Sequence, residues 1–199
     1  SLIFPPPAPA LPEPRPLDVS VLSLTQRESW SALQSTGIDG ASDAAAITAA
    51  RKLLGSSPPD AFASLARFRL AQLLDANGQS AEAAAAFVEV QERFPEARSE
   101  SGLPLSPLAA LRLLELASRN PASNVVVATA LDSFCSNLVN HPTFLTAHLL
   151  TRAAALEASL GEANVVEPWR REWERQQPLR ILAEAALKEW TKVRAVDEE

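Results

Sequence analysis

The apolar positions of this chain recur at helical spacing, in segments separated by short breaks. Between Phe62 and Leu74 the residues Phe62, Leu65, Ala66, Leu70, Leu73 and Leu74 follow one another at steps of three and four, with Arg67, Arg69 and Asp75 off the stripe. That is the pattern of an amphipathic helix with one buried face. The next segment carries Ala83, Ala84, Phe87, Val88 and Val90. Alanines beside leucines let two such helices approach closely as an antiparallel hairpin. Each hairpin keeps apolar surface on its outside, so units of this kind stack.

The breaks set the expected boundaries. Thr25 with Glu28 has the spacing of a capping box, with Gly37 as the stop of a helix over 26–35. Ser42 is expected to cap a helix to Leu54, halted by Gly55 and Pro58-Pro59, and Asp60 to cap the next, 61–76, halted by Asn77-Gly78. Ser80 opens a helix to Phe94, ended by Pro95. Pro107, after Ser106, starts one that ends at Asn120-Pro121, and Ser123 starts one that ends at His141-Pro142. Thr143 to Leu160 follows, stopped by Gly161. Pro168 begins a helix to Gln177, where Pro178 either kinks it or starts a last helix to about Val196. From Asp18 to Leu24 the apolar residues partly alternate, which leaves the local structure open.

Composition supports helices over strands: alanine and leucine make up about a third of the chain, with Gly 6, Tyr 0 and Met 0. Seven of the 16 prolines lie between Pro5 and Pro16, a run that reads as a polyproline II spacer, or else as a PxxP ligand for an SH3-like domain. The expected fold is therefore all-α: antiparallel helical hairpins stacked as an α-solenoid over 25–199, after a Pro-rich extended linker over 1–24. A chain without methionine that starts at Ser1 is expected to be a processed chain or an excised piece of a longer one.

Charge narrows the function. With 18 Lys+Arg against 24 Asp+Glu, the net charge is −6, and no basic run is longer than Arg170-Arg171. Nucleic acid and anionic membrane surfaces are not the expected partners. The longest uncharged stretch, Ser133 to Thr151, is interrupted by Ser136, Asn137, Asn140, His141, Pro142 and His148, so no membrane span is expected. Cys135 is the single cysteine, so no internal disulfide and no multi-cysteine metal site forms.

Catalytic and metal chemistry have little to stand on. His141 and His148 are the two histidines; without a nearby cysteine or placed carboxylate they make a poor metal site, and His148 in an apolar helix reads as a half-buried imidazole. Cys135 beside Phe134 reads as a small buried hydrophobe rather than a nucleophile. Neither GxxxxGK[ST] nor GxGxxG occurs. The expectation is a non-enzymatic chain with no cofactor and no metal.

The richest polar cluster is Trp169, Arg170, Arg171, Trp173, Arg175 and Arg180. Trp169 and Trp173 share one helical face. They read either as anchors for a partner or an anionic ligand, or as the seal on the last hairpin of a helical array with the arginines solvated.

The segment Ser64 to Ala97 resembles a tetratricopeptide repeat, a helix-turn-helix unit. Leu70, Ala71 and Leu74 stand at the family's contact positions of the first helix, Gly78 at the turn, Ala83 and Phe87 at those of the second, and Pro95 at the terminating proline. Arg67 departs from the pattern, which has a bulky aromatic there. The Ala-x3-Phe-x7-Pro piece recurs as Ala130, Phe134 and Pro142, and a weaker echo is Ala46, Ala50 and Pro58. The resemblance implies a binding surface lined by first helices, mapping to Phe68, Gln72 and Asp75, then to Arg112, Glu115 and Arg119.

A broader resemblance covers most of the chain. The Pro-rich lead-in, the Ala-rich helices, Gly102 to Leu105 before a Leu-rich helix, and EPWRREWERQQPLR are similar to the extracytoplasmic sensory region of bacterial sensor histidine kinases. It implies a periplasmic sensor part of a membrane-anchored signalling protein, without the kinase core in this chain. The ligand would be a protein, a peptide or a small molecule, a homodimer is among the assemblies implied, and Pro178 to Val196 would carry the signal onward. The competing expectation is a tetratricopeptide-type scaffold that joins protein partners and senses nothing.

Overall fold

The computed structural model describes residues 16–35, 43–119, 124–160 and 164–197. The Pro-rich run, Gly37, Ser42, Asn120-Pro121, Ser123 and Gly161 lie outside the described residues. Among those described the fold is all-α, with no strand: a 3-10 turn at Val19–Val21 precedes α1 (Leu24–Gln34), α2 (Asp43–Gly55), α3 (Asp60–Ala76), α4 (Ser80–Arg93), α5 (Leu105–Ser118), α6 (Asn124–Asn140), α7 (Thr146–Leu160) and α8 (Val166–Asp197).

Among the described residues the breaks at Pro58-Pro59, Asn77-Gly78, Pro95 and His141-Pro142 fall where the sequence places them, but several starts shift. The capping box of α1 is Ser23 with Gln26, not Thr25 with Glu28: Ser23 Oγ accepts the Gln26 N–H at 3.3 Å and Gln26 Oε1 accepts the Ser23 N–H at 3.0 Å. The earlier pair wins because Ser23, the N-cap, is extended at ψ 164°, the conformation that aims its hydroxyl at the first turn. Asp60 is the first residue of α3 rather than its cap, and no side chain caps that end; its acid instead faces the positive end of the helix dipole. Helix α4 starts at Ser80, as the sequence predicts, with Gln79 at the N-cap position and no side-chain cap. Helix α5 starts at Leu105, ahead of Pro107, which occupies a first-turn position where its missing N–H costs nothing. Helix α7 starts at Thr146 rather than Thr143, because the two threonines bond across the turn: the Thr143 N–H donates to Thr146 Oγ1 at 2.8 Å and the Leu145 N–H to Thr143 Oγ1 at 3.2 Å. Pro178 lies within a single α8 of 32 residues.

The chain forms two compact units. In the N-terminal unit, the described residues up to Val127, each helix from α1 to α4 packs on its successor and α3 also touches α5. Its core joins Leu22, Trp30, Leu33, Ile47, Leu53, Phe62, Leu70, Leu74, Phe87, Val90, Leu105 and Leu116. Leu17 packs against this core, and Leu22, in the segment expected as linker, is 2% exposed. Trp30 meets Phe62 edge-on at 5.1 Å between ring centroids, and Phe68 meets Phe87 at 5.7 Å, the geometry aromatic quadrupoles favour. Gly78 closes the α3–α4 turn at φ +74°, which a glycine adopts without strain.

The C-terminal unit, from Ala128 onward, contains most of α6 with α7 and α8. Leu131, Phe134, Cys135, Leu138, Val139, Leu149, Leu150, Ala153, Leu156 and Val166 are buried. Two buried polar residues tie it together. Glu157 of α7 accepts the backbone N–H groups of Val165 and of Val166, the latter at 3.1 Å. Arg180 of α8 donates to the Val139 carbonyl at 3.2 Å and to Gln176 Oε1 at 2.6 Å.

Candidate functional site

The N-terminal unit carries an open groove of about 580 Å³, within the size of sites that enclose small ligands, about 300–1,000 Å³. Helix α3 supplies one wall through Leu65, Phe68, Arg69 and Gln72, whose spacing puts all four on one face. Helix α1 supplies Trp30, Leu33 and Gln34, and α5 supplies Leu105 and Leu108. The remaining wall is the loop before α5, through Ser99, Glu100, Ser101 and Leu103.

That loop is cross-bonded. The Ser99 N–H donates to the Leu103 carbonyl and the Gly102 N–H to the Ser99 carbonyl, both at 2.8 Å, while the Leu103 N–H donates to Ser99 Oγ at 3.0 Å. Gly102 turns the chain at φ +81° and is buried, and the Leu105 N–H closes onto the Ala97 carbonyl at 2.9 Å. The wall is thus set before any ligand arrives, which reduces the ordering cost of binding.

The groove is apolar on its floor and polar at its rim. Trp30, Leu33 and Leu105 are buried, while Phe68, Leu65, Leu103 and Leu108 are partly exposed. Arg69 and Glu100 are exposed, face the same groove, and form no ion pair with each other or with any described residue. Gln72 and Gln34 also make no hydrogen bond to a described residue, so their amides are free for a ligand. Such a surface can hold an apolar body and orient its polar ends.

No family model, curated protein or solved structure matches the chain. The residues themselves must therefore carry the assignment of a site.

Of the residues the sequence singled out, Phe68 and Gln72 line the groove. Asp75 does not; it receives Arg119 at 2.7 Å, joining the end of α3 to the end of α5. Arg112 pairs with Glu115 along α5 at 2.8 Å, also away from the groove. Tertiary packing thus brings together only part of the expected face, and adds Trp30, Leu33, Arg69 and the loop 99–103. The Gly102–Leu105 segment was the visible trace of that loop in the sequence; nothing in the sequence pairs it with α1.

Trp169, Arg170 and Trp173 lie in the C-terminal unit. The Trp169 indole N–H donates to Asp132 Oδ1 at 2.7 Å. Trp173 receives the Arg180 guanidinium over its ring at 5.0 Å. Arg170 pairs with Glu167 at 3.2 Å and reaches Glu174 at 3.8 Å, and Arg175 pairs with Glu172 at 2.7 Å, holding that carboxyl down at about 2. Both tryptophans are therefore engaged with their own unit. Cys135 is fully buried, and burial followed by Asp132 and Glu157 pushes its thiol up to about 12, the opposite of an activated nucleophile. Among the described residues no group of three or more His, Cys, Asp or Glu is placed to hold a metal, and no helix is long and apolar enough to cross a membrane.

Proposed function

We propose that the chain is a non-catalytic ligand-binding domain, a tetratricopeptide-like helical array that serves as the extracytoplasmic sensory region of a bacterial signalling protein. The observation that supports it best is the preformed groove between α1, α3, α5 and the loop 99–103, with an apolar floor and unpaired polar groups at its rim. The sensory part of the assignment draws on the Pro-rich lead-in, the Gly102–Leu105 segment and the EPWRREWERQQPLR helix. Output is assigned to Pro178 to Val196, the C-terminal part of α8.

A thermal-shift screen against peptides and metabolites tests this, because a ligand that prefers the folded state raises the melting temperature, by about 2.7 kcal/mol of stabilisation at a hundred times its Kd. The expected result is a ligand whose shift disappears in Leu108→Arg, a change at the groove wall. If no small ligand or peptide shifts the protein while one protein partner co-purifies stably, the sensor assignment fails and a scaffold takes its place.

A further inference from the structure

We infer that the groove recognises a short apolar peptide with free termini, its carboxylate held by Arg69 and its ammonium facing Glu100. This deepens the proposed ligand-binding role and rests on it. The decisive observation is which charges are left over. The arginines with described side chains are otherwise engaged: Arg51, Arg67, Arg112, Arg119, Arg170, Arg171 and Arg175 with carboxylates, Arg27, Arg98 and Arg180 with carbonyls, and Arg93 with the Phe94 ring, while Arg152 also has a partner.

Arg69 alone among them makes no such contact, and it faces the groove. In a chain of net charge −6 an unpaired guanidinium is an exception to the prevailing field, and its planar fork matches a carboxylate. A simple anion would also meet Glu100 on the loop wall. An apolar zwitterion satisfies both groups. Phe68 and Leu108 then cover its side chains, and the unbonded Gln72 amide, one turn from Arg69 on α3, is available to its peptide bonds. The small size of the groove limits the ligand to a few residues.

Calorimetric titration with Leu-Phe-Leu, its N-acetylated form and its C-amidated form tests the assignment on the whole chain. The free tripeptide is expected to bind, and each block to weaken binding about tenfold, as loss of one charge-assisted contact does. In Arg69→Gln the free and amidated peptides should bind alike; in Glu100→Gln the free and acetylated peptides should. Both side chains are exposed and unpaired, so unchanged melting temperatures check that the variants fold. Equal binding of all three peptides to the unaltered protein overturns the inference. So does tight binding of decanoate with none of the tripeptide, which would mark a site for a simple anion. A screen ligand whose shift is lost in Leu108→Arg, together with no tripeptide binding, overturns it while leaving the ligand-binding role standing.

Discussion

Glu157, 8% exposed on α7, accepts the N–H groups of both Val165 and Val166, so a side chain of one helix caps the start of the next. A carboxylate at a helix N-terminus satisfies orphan donors and faces the positive end of the dipole. Glu157→Ala should cost about 2–4 kcal/mol, because it strands buried N–H groups. Glu157→Gln keeps the acceptor oxygen and should cost less, about 1–2 kcal/mol, for the lost charge. Urea unfolding of both variants checks the order.

Phe87 is fully buried and packs edge-on against Phe68, while Phe134 is 8% exposed in the other unit. Phe87→Ala should cost about 3–5 kcal/mol and Phe134→Ala toward the lower end of that range. Chemical denaturation followed by circular dichroism measures both; a neutral Phe87→Ala would refute the packing of α3 on α4.

Trp173 and Trp169 hold different partners, and the loss should differ accordingly. Trp173→Ala removes the half-buried ring over Arg180, a cation that is itself only 2% exposed, and should destabilise by about 2–3 kcal/mol. Trp169→Phe keeps most of the ring and loses one hydrogen bond to exposed Asp132, so about 0.5–1.5 kcal/mol is expected. Thermal melts of the two variants read the contrast.

Cys135 gives the protein an alkaline sensitivity. Its folded thiol lies at about 12, against an ordinary 9.0. Between these values the unfolded chain sheds the proton and the folded one keeps it, so stability falls as pH rises. The difference in unfolding free energy between the unaltered chain and Cys135→Ala should therefore shrink from pH 9 upward, by no more than about 1.4 kcal/mol per pH unit. At pH 8 a thiol reagent should label Cys135 only on unfolding.

Ser23→Ala breaks the α1 capping box and should cost about 1 kcal/mol, whereas Thr25→Ala should be nearly neutral. Melting temperatures of the pair distinguish the observed cap from the one that spacing alone suggests.

The local grammar of this chain was legible because it depends on neighbours in sequence. The all-α class, the α3–α4 hairpin turning at Gly78, and the burial of Phe87 and Ala83 follow from spacing and turn chemistry. Cap choices at Ser23 and Thr146 were less legible, since several hydroxyls compete within a few residues and backbone conformation selects among them.

Apolar periodicity and turn residues thus determined that the described residues are helical and placed the breaks at Pro58-Pro59, Asn77-Gly78, Pro95 and His141-Pro142, because both act within a turn or two of chain. Tertiary structure alone decided that Arg69 remains unpaired while Asp75 and Arg119 neutralise each other, that Glu157 caps α8, and that loop 99–103 meets α1 and α3 around one groove. Those outcomes join residues far apart in sequence, and only the packing of whole helices sets the distances over which charges pair and donors find acceptors.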